Sequence, residues 1–152
     1  MPLRKSEPPP EINQKHFYFK VVAKPSKIHR WGLYAAEDIP PRKKVMEYTG
    51  ERISRKETRR RADEQPTLIY LFTLDNYWTL DGAVGGSGAE YANHCCDPNM
   101  QTEISRGRIF YTSRRAIAKG DELTVDYRFA KNVDKVQCKC GAAICRGTIN
   151  LL

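Results

Sequence analysis

The sequence predicts one mainly β domain with many short strands and a single short helix, and three observations support this. The chain has 152 residues, a length typical of one domain. Short segments rich in aromatic and β-branched residues recur along it, and such segments are typical of strands. Only one segment has both the start signal and the composition of a helix.

Seven segments are predicted as strands from their composition and from the turn residues that bound them. The fourth and fifth are separated by Asp75 and Asn76, which predicts a hairpin between them. The last two are separated by Lys119, Gly120 and Asp121, which predicts a turn. In chain order the predicted strands are 17–23, 32–36, 45–49, 68–74, 77–80, 108–112 and 122–125.

The predicted helix covers residues 54–64. Ser54 followed by Glu57 forms a capping box, in which the serine hydroxyl accepts from the backbone of the first turn. The sequence RKETRRRADE that follows is polar throughout, which indicates a helix exposed to solvent. Pro66 then ends the helix, because proline cannot continue its hydrogen-bond pattern.

The composition indicates a soluble globular protein, with 40% apolar and 29% charged residues. No apolar run approaches the roughly 20 residues that a membrane-spanning helix needs. Residues 1–15 are rich in proline and lack the apolar core of a secretory signal, so we expect a flexible lead-in. An intracellular, reducing location is the default expectation.

The net charge is +8, but lysine and arginine are absent from residues 62–105, where acidic residues gather. One interpretation is that surface charge clusters by chance. The other is that this acidic middle segment receives a basic ligand, while the basic flanks favour an anionic surface such as nucleic acid.

The five cysteines lie close to one another in sequence. Cys95 and Cys96 are adjacent, and Cys138, Cys140 and Cys145 fall within the stretch CKCGAAIC. In a reducing compartment, such clustering favours a metal site over disulfides.

Five segments in order resemble the SET domain of protein lysine methyltransferases followed by a cysteine-rich post-SET tail. They are IHRWGLYAA (28–36), EYTGE (47–51), NHCCDPN (93–99), DELTVDY (121–127) and CKCGAAICRG (138–147). The resemblance implies a SET domain at 16–130 and a post-SET zinc tail at 131–152. It also implies several small β-sheets, with a knot-like crossing of the third and fourth segments.

The activity that the resemblance implies is methyl transfer from S-adenosyl-L-methionine to a lysine amine, leaving S-adenosyl-L-homocysteine. It places Tyr127 and Tyr48 as catalytic residues that orient the amine. It places Phe72, Val125 and Phe129 along the substrate channel. Relatives usually carry phenylalanine or tyrosine where this chain has Val125, and the smaller valine favours di- or trimethylation.

The resemblance also implies the residues that bind the cofactor. Asn93 and His94 would hold it largely through backbone groups, and the glycine of the opening loop lets the backbone approach closely. Two positions depart from the family pattern: Arg30 replaces a glycine, and Glu90 stands where many relatives carry arginine. The full cofactor set is Arg30, Trp31, Gly32, Tyr70, Glu90, Asn93 and His94.

The same resemblance brings Cys96 to the three tail cysteines, Cys138, Cys140 and Cys145, as ligands of one structural zinc. Four thiolates suit a tetrahedral zinc site. Such a site would hold the tail over the lysine channel. Cys95 stands where relatives commonly carry serine, and we interpret it as a small buried residue.

The expected substrate is a basic protein, above all a histone tail, which suits the acidic middle segment and could add to the domain as an extra strand. Two alternatives stay open at this point. One is a catalytically silent SET-like module that binds basic tails or nucleic acid, and the other is a methyltransferase for a non-histone protein. We expect nucleus and chromatin in a eukaryote, cytoplasm in a bacterium, and no membrane partner; the oligomeric state is not predicted.

Overall fold

The chain folds into three small β-sheets and one short α-helix, seen in a computed structural model that describes residues 7–64 and 70–152. The helix, α1, spans Arg55–Glu64, and 3-10 turns cover Gln14–His16 and Ala89–Tyr91. The strands are β1 (Val21–Pro25), β2 (Trp31–Ala35), β3 (Lys44–Tyr48), β4 (Glu51–Ser54), β5 (Leu71–Thr73), β6 (Trp78–Asp81), β7 (Asn93–His94), β8 (Met100–Ser105), β9 (Arg108–Ser113) and β10 (Glu122–Val125). The predicted fold class is confirmed.

The sheet order brings the third and fourth motif segments side by side. The sheets are ordered β1-β2-β10-β7, β3-β9-β8 and β4-β6-β5. The pairs are antiparallel except β7 with β10, which run parallel, with Asn93 opposite Thr124 and His94 opposite Val125. This pairing places residues 93–94 beside the strand that leads to Tyr127. The knot-like crossing itself stays a prediction.

The core lies where inward-facing residues of the first two sheets meet. Leu33 of β2, Val45 and Met46 of β3, Ile109 of β9 and Leu123 of β10 have no accessible surface. Apolar side chains of this size contribute about 1.5–3 kcal/mol each when fully buried. The core therefore fixes the relative positions of β3 and β9, which line the candidate site, and of β10, which leads to it.

Helix α1 begins as predicted, because the Ser54 hydroxyl accepts from the backbone N–H of Glu57 at 3.1 Å. The helix buries no side chain. It is tied to the third sheet by Arg61, whose guanidinium contacts the Asp81 carboxylate at 2.7 Å. Among the described residues, no helix combines the length and apolar character needed to cross a bilayer.

The strand predictions agree with the structure in position more than in their bounds. The hairpin across Asp75 and Asn76 is confirmed, since β5 pairs with β6. The first strand begins at Val21 instead of residue 17. Phe17 and Phe19 pack against the core with their side chains. Of these two residues only Phe17 forms a β-bridge, to Met46, so no continuous strand forms before Val21. Residues 68 and 69 of the fourth predicted strand lie outside the described residues, and β4, β7 and β8 were not predicted.

Candidate active site

A cavity of about 380 Å³ opens where β3, β5, the turn at 89–91 and the segment after β10 meet. Its walls are mainly aromatic and include four residues that the sequence analysis singled out for the site: Tyr48, Phe72, Tyr127 and Phe129. Glu90, predicted to be near the cofactor, also lines it. Five predicted site residues from separate parts of the sequence thus meet at one cavity.

The aromatic rings of the cavity pack on one another and give it a stiff wall. The ring centroids of Tyr48 and Phe72 are 5.1 Å apart, and those of Tyr127 and Phe129 are 5.8 Å apart. Tyr111 of β9 joins this wall, with its ring 6.1 Å from Tyr48 and 6.2 Å from Phe72. Such contacts add about 0.5–1.5 kcal/mol per pair beyond burial.

Tyr127 lies just after β10 and is held at both ends. Its backbone N–H donates to Nδ1 of His94 at 3.0 Å. Its hydroxyl donates to the carbonyl oxygen of Ala92 at 2.7 Å. Burial raises the pKa of the Tyr127 phenol, so the hydroxyl stays protonated at neutral pH.

Tyr48 ends β3 and points its hydroxyl at the carbonyl oxygen of Tyr70, to which it donates. Burial raises the pKa of this phenol well above its ordinary value. Because a hydroxyl has one hydrogen, both Tyr48 and Tyr127 have used their donor on a carbonyl. The free lone pairs of both oxygens are therefore what these hydroxyls can offer a ligand.

Glu90 occupies the middle of the 3-10 turn at the cavity wall. Its carboxylate accepts from the backbone N–H of Gly88 at 2.9 Å. Burial raises the pKa of this carboxyl, against the smaller effect of the backbone hydrogen bonds. Among the described residues Glu90 forms no ion pair, and Arg128 lines the same cavity.

The opening loop at residues 29–32 is tied to β7 by Asn93. The side-chain amide of Asn93 lies 3.1 Å from the carbonyl oxygen of His29, 2.9 Å from that of Trp31 and 3.0 Å from the Glu122 carboxylate. Buried amides of this kind hold a loop in one conformation. The Asn93 side chain thus orders the loop that the resemblance assigns to the cofactor.

Two residues of this loop are constrained, Arg30 by its backbone conformation and Gly32 by the space around it. Arg30 has a φ of 39°, the left-handed conformation that favours the glycine of its relatives, and its guanidinium forms an ion pair with Glu7. A Cβ added to Gly32 would come within 2.3 Å of the Glu122 carboxylate, so a side chain at that position would have to displace Glu122. Gly32 therefore makes space for Glu122, the same carboxylate that anchors Asn93.

The indole N–H of Trp31 is relevant to ligand binding at this loop. Its indole Nε1–H is buried and has no hydrogen-bond partner within the described chain. A buried donor without a partner costs about 1–3 kcal/mol. The loop therefore fits a ligand that brings an acceptor. Tyr70, predicted for the same ligand, packs edge-on against Tyr91, with the two ring centroids 5.7 Å apart.

His94 links the segment that carries Tyr127 to the cysteines. Burial lowers its pKa, while Asp126 opposes that shift. Since Nδ1 accepts from the Tyr127 backbone, the proton lies on Nε2, which is 3.4 Å from the Cys96 sulfur. One imidazole thus contacts both the Tyr127 backbone and a cysteine of the predicted metal site.

Cys96, Cys138, Cys140 and Cys145 bring their sulfur atoms within 4.8 Å of one another. This spacing suits a tetrahedral metal with Zn–S bonds of about 2.3 Å. Burial opposes ionisation of Cys140, yet the N–H groups of Cys96 and Ala142 and the neighbouring thiols lower its pKa to about 6. The four predicted ligands come together, and the group could hold a metal ion.

Cys95 is buried and lies outside this four-cysteine group. Burial is the main cause that raises the pKa of its thiol to about 11.

Val125, predicted along the channel, is buried in β10 opposite His94 and does not line the cavity. Its effect on the space around a substrate would have to pass through its neighbours.

Arg146, which sequence reasoning did not single out, joins the tail to the end of β10. Its guanidinium donates twice to the Asp126 carboxylate, at 2.8 and 3.1 Å. It also donates to the backbone oxygens of Ile149 at 2.9 Å and Asn150 at 3.3 Å. In the sequence, Arg146 directly follows the last cysteine, in CRG, and this position was the signal that could have indicated it.

Tyr111 was also missed by sequence reasoning, because a tyrosine in a β-prone segment is typical of an ordinary core as well.

Comparison with known proteins places this geometry in a family. The SET domain model matches residues 30–128. The chain is 39% identical to the histone-lysine N-methyltransferase set-2 of Caenorhabditis elegans, over 92% of this chain and 10% of that protein. It is 38% identical to the H3 lysine-4 specific histone-lysine N-methyltransferase of Saccharomyces cerevisiae, over 82% of this chain and 13% of that protein.

A third relative is the histone-lysine N-methyltransferase trithorax of Drosophila melanogaster, 35% identical over 82% of this chain and 4% of that protein. The chain thus spans only a small part of the length of these relatives, between 4% and 13%. From the family match, the order of the motifs and the cysteine group beside them, we conclude that the chain belongs to the SET-domain family.

Proposed function

We propose that this chain is a protein-lysine N-methyltransferase that acts on a histone tail with S-adenosyl-L-methionine as methyl donor. The observation that carries the proposal is the aromatic cavity at which Tyr48, Phe72, Tyr127 and Phe129 meet. The names of its relatives support the histone substrate. For a eukaryotic source we propose a nuclear location at chromatin.

The cavity suits a lysine side chain because it combines an apolar wall with acceptor atoms. A lysine ammonium has a pKa of about 10.4 in water and no lone pair with which to attack. Removal from water favours its neutral amine. The rings of Phe72 and Tyr111 would provide that dry surface for the methylene chain.

The two hydroxyls would orient the amine. Since Tyr127 donates to Ala92 and Tyr48 donates to Tyr70, their oxygens can accept the N–H groups of the incoming amine. Acceptance of those hydrogens turns the nitrogen lone pair away from the hydroxyls, toward the donor side of the cavity. Such orientation contributes several kcal/mol to lowering a barrier, on the order of 7–11 for ideal alignment.

The loop at residues 29–32 and the Asn93–His94 strand would hold the cofactor, which when bound supplies a methyl group on a sulfonium sulfur. Trp31 offers its unpaired indole N–H, whereas the Arg30 guanidinium is already paired with Glu7. Asn93 would keep this loop in place. The unpaired donor of the loop therefore fits a ligand that carries a hydrogen-bond acceptor.

We further propose that Cys96, Cys138, Cys140 and Cys145 bind one structural zinc. Four thiolates match the preference of a structural zinc site. The zinc would join residue 96 of the SET domain at 16–130 to the tail at 131–152. The comparisons do not favour the two alternatives, a silent binding module or a non-histone methyltransferase, since the relatives named above are histone-lysine N-methyltransferases.

The test is methyl transfer from labelled S-adenosyl-L-methionine to a histone mixture, with mass spectrometry of the products. We expect methylated lysine, with two or three methyl groups if the prediction from Val125 holds. Tyr127→Phe should lower kcat by about 10²–10³-fold, because it removes a hydroxyl that acts on the reacting nitrogen.

The control is Tyr18→Phe, which removes a hydroxyl from a side chain that is 54% exposed and outside the cavity. It should keep full activity. If the wild-type chain transfers no methyl group to any histone, the proposed function is wrong. If Tyr127→Phe turns over as fast as wild type, the role of Tyr127 is wrong.

A further inference from the structure

Two basic runs that are far apart in sequence form one surface at the junction of β3 and β9. Lys43 and Ser113 are 70 residues apart, yet the Lys43 backbone N–H donates to the Ser113 hydroxyl at 2.9 Å. The Arg42 N–H donates to the carbonyl oxygen of Ser113, also at 2.9 Å. We call the cations that this junction gathers the basic surface: Arg42, Lys43, Lys44, Arg114 and Arg115.

All five side chains are exposed, and their charge is mostly not neutralised within the protein. Arg115 pairs with Asp97 at 3.2 Å. In the described part of the chain, the other four have no carboxylate within ion-pair distance. The surface therefore keeps a charge of about +4 next to one ion pair, and like charges held together in this way repel each other.

The fold holds these cations in a defined arrangement. The Lys44 ammonium lies 4.1 Å from the ring centroid of Phe110, on β9. The Arg114 guanidinium donates to the carbonyl oxygen of Pro98 at 2.9 Å. Neither contact neutralises the positive charge, so both cations remain able to bind an anion outside the protein.

The basic surface is separate from the active-site cavity. None of its five residues lines that cavity, whose own carboxylate is Glu90. A basic histone tail would be repelled by the surface and received at the cavity. The surface is therefore suited to a second, anionic partner that can be bound while the substrate lysine is in place.

We propose that the basic surface binds the phosphate backbone of duplex DNA. Neighbouring strands lie about 4.8 Å apart, so the surface extends over roughly 10–15 Å and faces several phosphates, since duplex DNA carries one charge per about 1.7 Å. One arginine guanidinium can donate two parallel hydrogen bonds to the oxygens of a phosphate group. The proposal rests on the proposed function, because histone tails extend from particles wrapped in DNA.

Duplex DNA fits the surface better than single-stranded nucleic acid does. Proteins that hold single strands place exposed aromatic side chains under the bases. Phe110, which lies under Lys44, is 2% exposed. Tyr18, whose backbone N–H donates to Val45 next to Lys44, is exposed, but it is a single ring. One ring cannot stack successive bases, so the charge pattern favours contacts to a double-stranded backbone.

The experiment measures binding of a short mixed-sequence DNA duplex by fluorescence anisotropy over a series of salt concentrations. In the triple variant R42Q/K43Q/K44Q, the affinity at low salt should fall at least about 10-fold. The slope of log affinity against log salt should become shallower by about 2–3, because each phosphate contact contributes about 0.9. Arg114 and Arg115 are left in place because they contact residues 97 and 98 beside the cysteine group.

The matched control is K56Q/R59Q/K135Q, which removes the same charge from exposed positions on α1 and in the tail. It should change affinity and slope much less than the triple variant does. Equal losses in the two variants would mean that net charge alone attracts DNA, and unchanged binding in R42Q/K43Q/K44Q would also overturn the proposal. Equal or tighter binding of a single strand of the same length would overturn the choice of duplex.

Methylation of a free histone peptide, measured on the same variants, separates this inference from the proposed function. Peptide methylation should be equal in wild type and R42Q/K43Q/K44Q, while methylation of nucleosomes should fall in the variant. If no variant methylates the peptide, the proposed function fails, and the DNA-binding data still decide on the basic surface.

Discussion

At the scale of single residues, Glu90 differs most from what the family resemblance implied. The resemblance puts Glu90 where many relatives carry an arginine near the cofactor, and here its carboxylate lies in the wall of the aromatic cavity. Its negative charge adds to the effect of burial in raising the pKa of Tyr48 and, with Tyr127, that of Tyr111. Burial is thus the main reason that the surrounding phenols stay protonated, and Glu90 adds to it from a wall that also contains Arg128.

This placement predicts a pH-dependent effect of Glu90→Gln on stability. Because burial raises the folded pKa of Glu90, the folded state disfavours the ionised form, and the cost is fully present above that pKa. A neutral glutamine side chain would avoid the cost and still accept from the Gly88 N–H. Urea unfolding should show the variant to be more stable than wild type at pH 8, with the difference vanishing below about pH 4, the ordinary pKa of glutamate.

The control for this prediction is Glu103→Gln on the exposed face of β8, where no such pH-dependent gain is expected. A Glu90→Gln variant that is less stable than wild type at pH 8 would show that the carboxylate has a compensating cationic partner or an essential charge in the folded state.

Single residues also show how far the sequence could predict the site. Motif position placed Tyr48 and Tyr127, and the wider resemblance placed Phe72 and Phe129 outside those motifs; all four line the cavity. Val125 lies in the same motif as Tyr127, but it is buried in β10, whose residues 123–125 are all buried, and it does not line the cavity. Its orientation depends on the parallel pairing with β7, which no local pattern in the sequence encodes.

At the scale of elements, the C-terminal tail is joined to β10 by a compact set of contacts. The bidentate pair between Arg146 and Asp126 lies next to Tyr127, and His94 lies 3.5 Å from the same carboxylate. Both side chains of the pair are largely buried, with 17% and 23% exposed. Asp126 thus connects the tail, β7 and the segment that presents the Tyr127 hydroxyl.

We predict that Arg146→Ala will destabilise the chain by about 1–3 kcal/mol, because it leaves a half-buried carboxylate without its charged donors. Burial disfavours ionised Asp126, yet Arg146 lowers its pKa overall, so the stabilising effect of the pair is present above the ordinary aspartate pKa and is lost as pH falls. Urea unfolding at pH 7 and pH 3 measures the loss and how far it shrinks as Asp126 becomes protonated.

Arg60→Ala provides the matched control. Arg60 also pairs with carboxylates, those of Glu57 and Glu64, but it lies on the exposed surface of α1 with 55% of its side chain accessible. Surface helix pairs contribute about 0.3–0.5 kcal/mol. Equal effects of Arg146→Ala and Arg60→Ala would mean that the Arg146 pair does not hold the tail.

Elements with strong local signals were predicted, and those set by tertiary pairing were not. Helix α1 carries its own cap at Ser54, and β9 is rich in aromatic and β-branched residues. By contrast, β7 is two residues long, and β8 is exposed along most of its length and contains Gln101, Thr102 and Glu103. These two strands exist because β10 and β9 offer backbone partners, a cause that lies outside their own sequence.

At the scale of the whole molecule, charge is divided between two places. The cavity contains Glu90, and the basic surface lies at the junction of β3 and β9. The acidic segment at 62–105 was expected to receive a basic ligand, and the cavity draws Glu90 and the β5 wall from that segment. Composition predicts the sign of each segment, but only the fold shows that residues 42–44 and 114–115 are neighbours.

The cysteine group adds a long-range link, and its removal is the last prediction. Cys96 and Cys138 are 42 residues apart, with their sulfur atoms at 3.7 Å. A metal held there would close a loop through the middle of the chain and stabilise the tail against opening. We expect about one zinc per chain by elemental analysis, and Cys145→Ser should reduce it severalfold or more, because three thiolates cannot complete the tetrahedral site.

Loss of the zinc should open the tail and leave the three sheets folded. The core residues Leu33, Met46 and Ile109 lie in β2, β3 and β9, and none of the four cysteines belongs to that buried cluster. In Cys145→Ser, or after chelation, limited proteolysis should therefore cut within residues 131–152 first, while unfolding of the remainder stays cooperative. Cys95→Ala, which removes a thiol outside the group, should keep both the zinc and the protected tail; retention of stoichiometric zinc by Cys145→Ser would rule out this set of ligands.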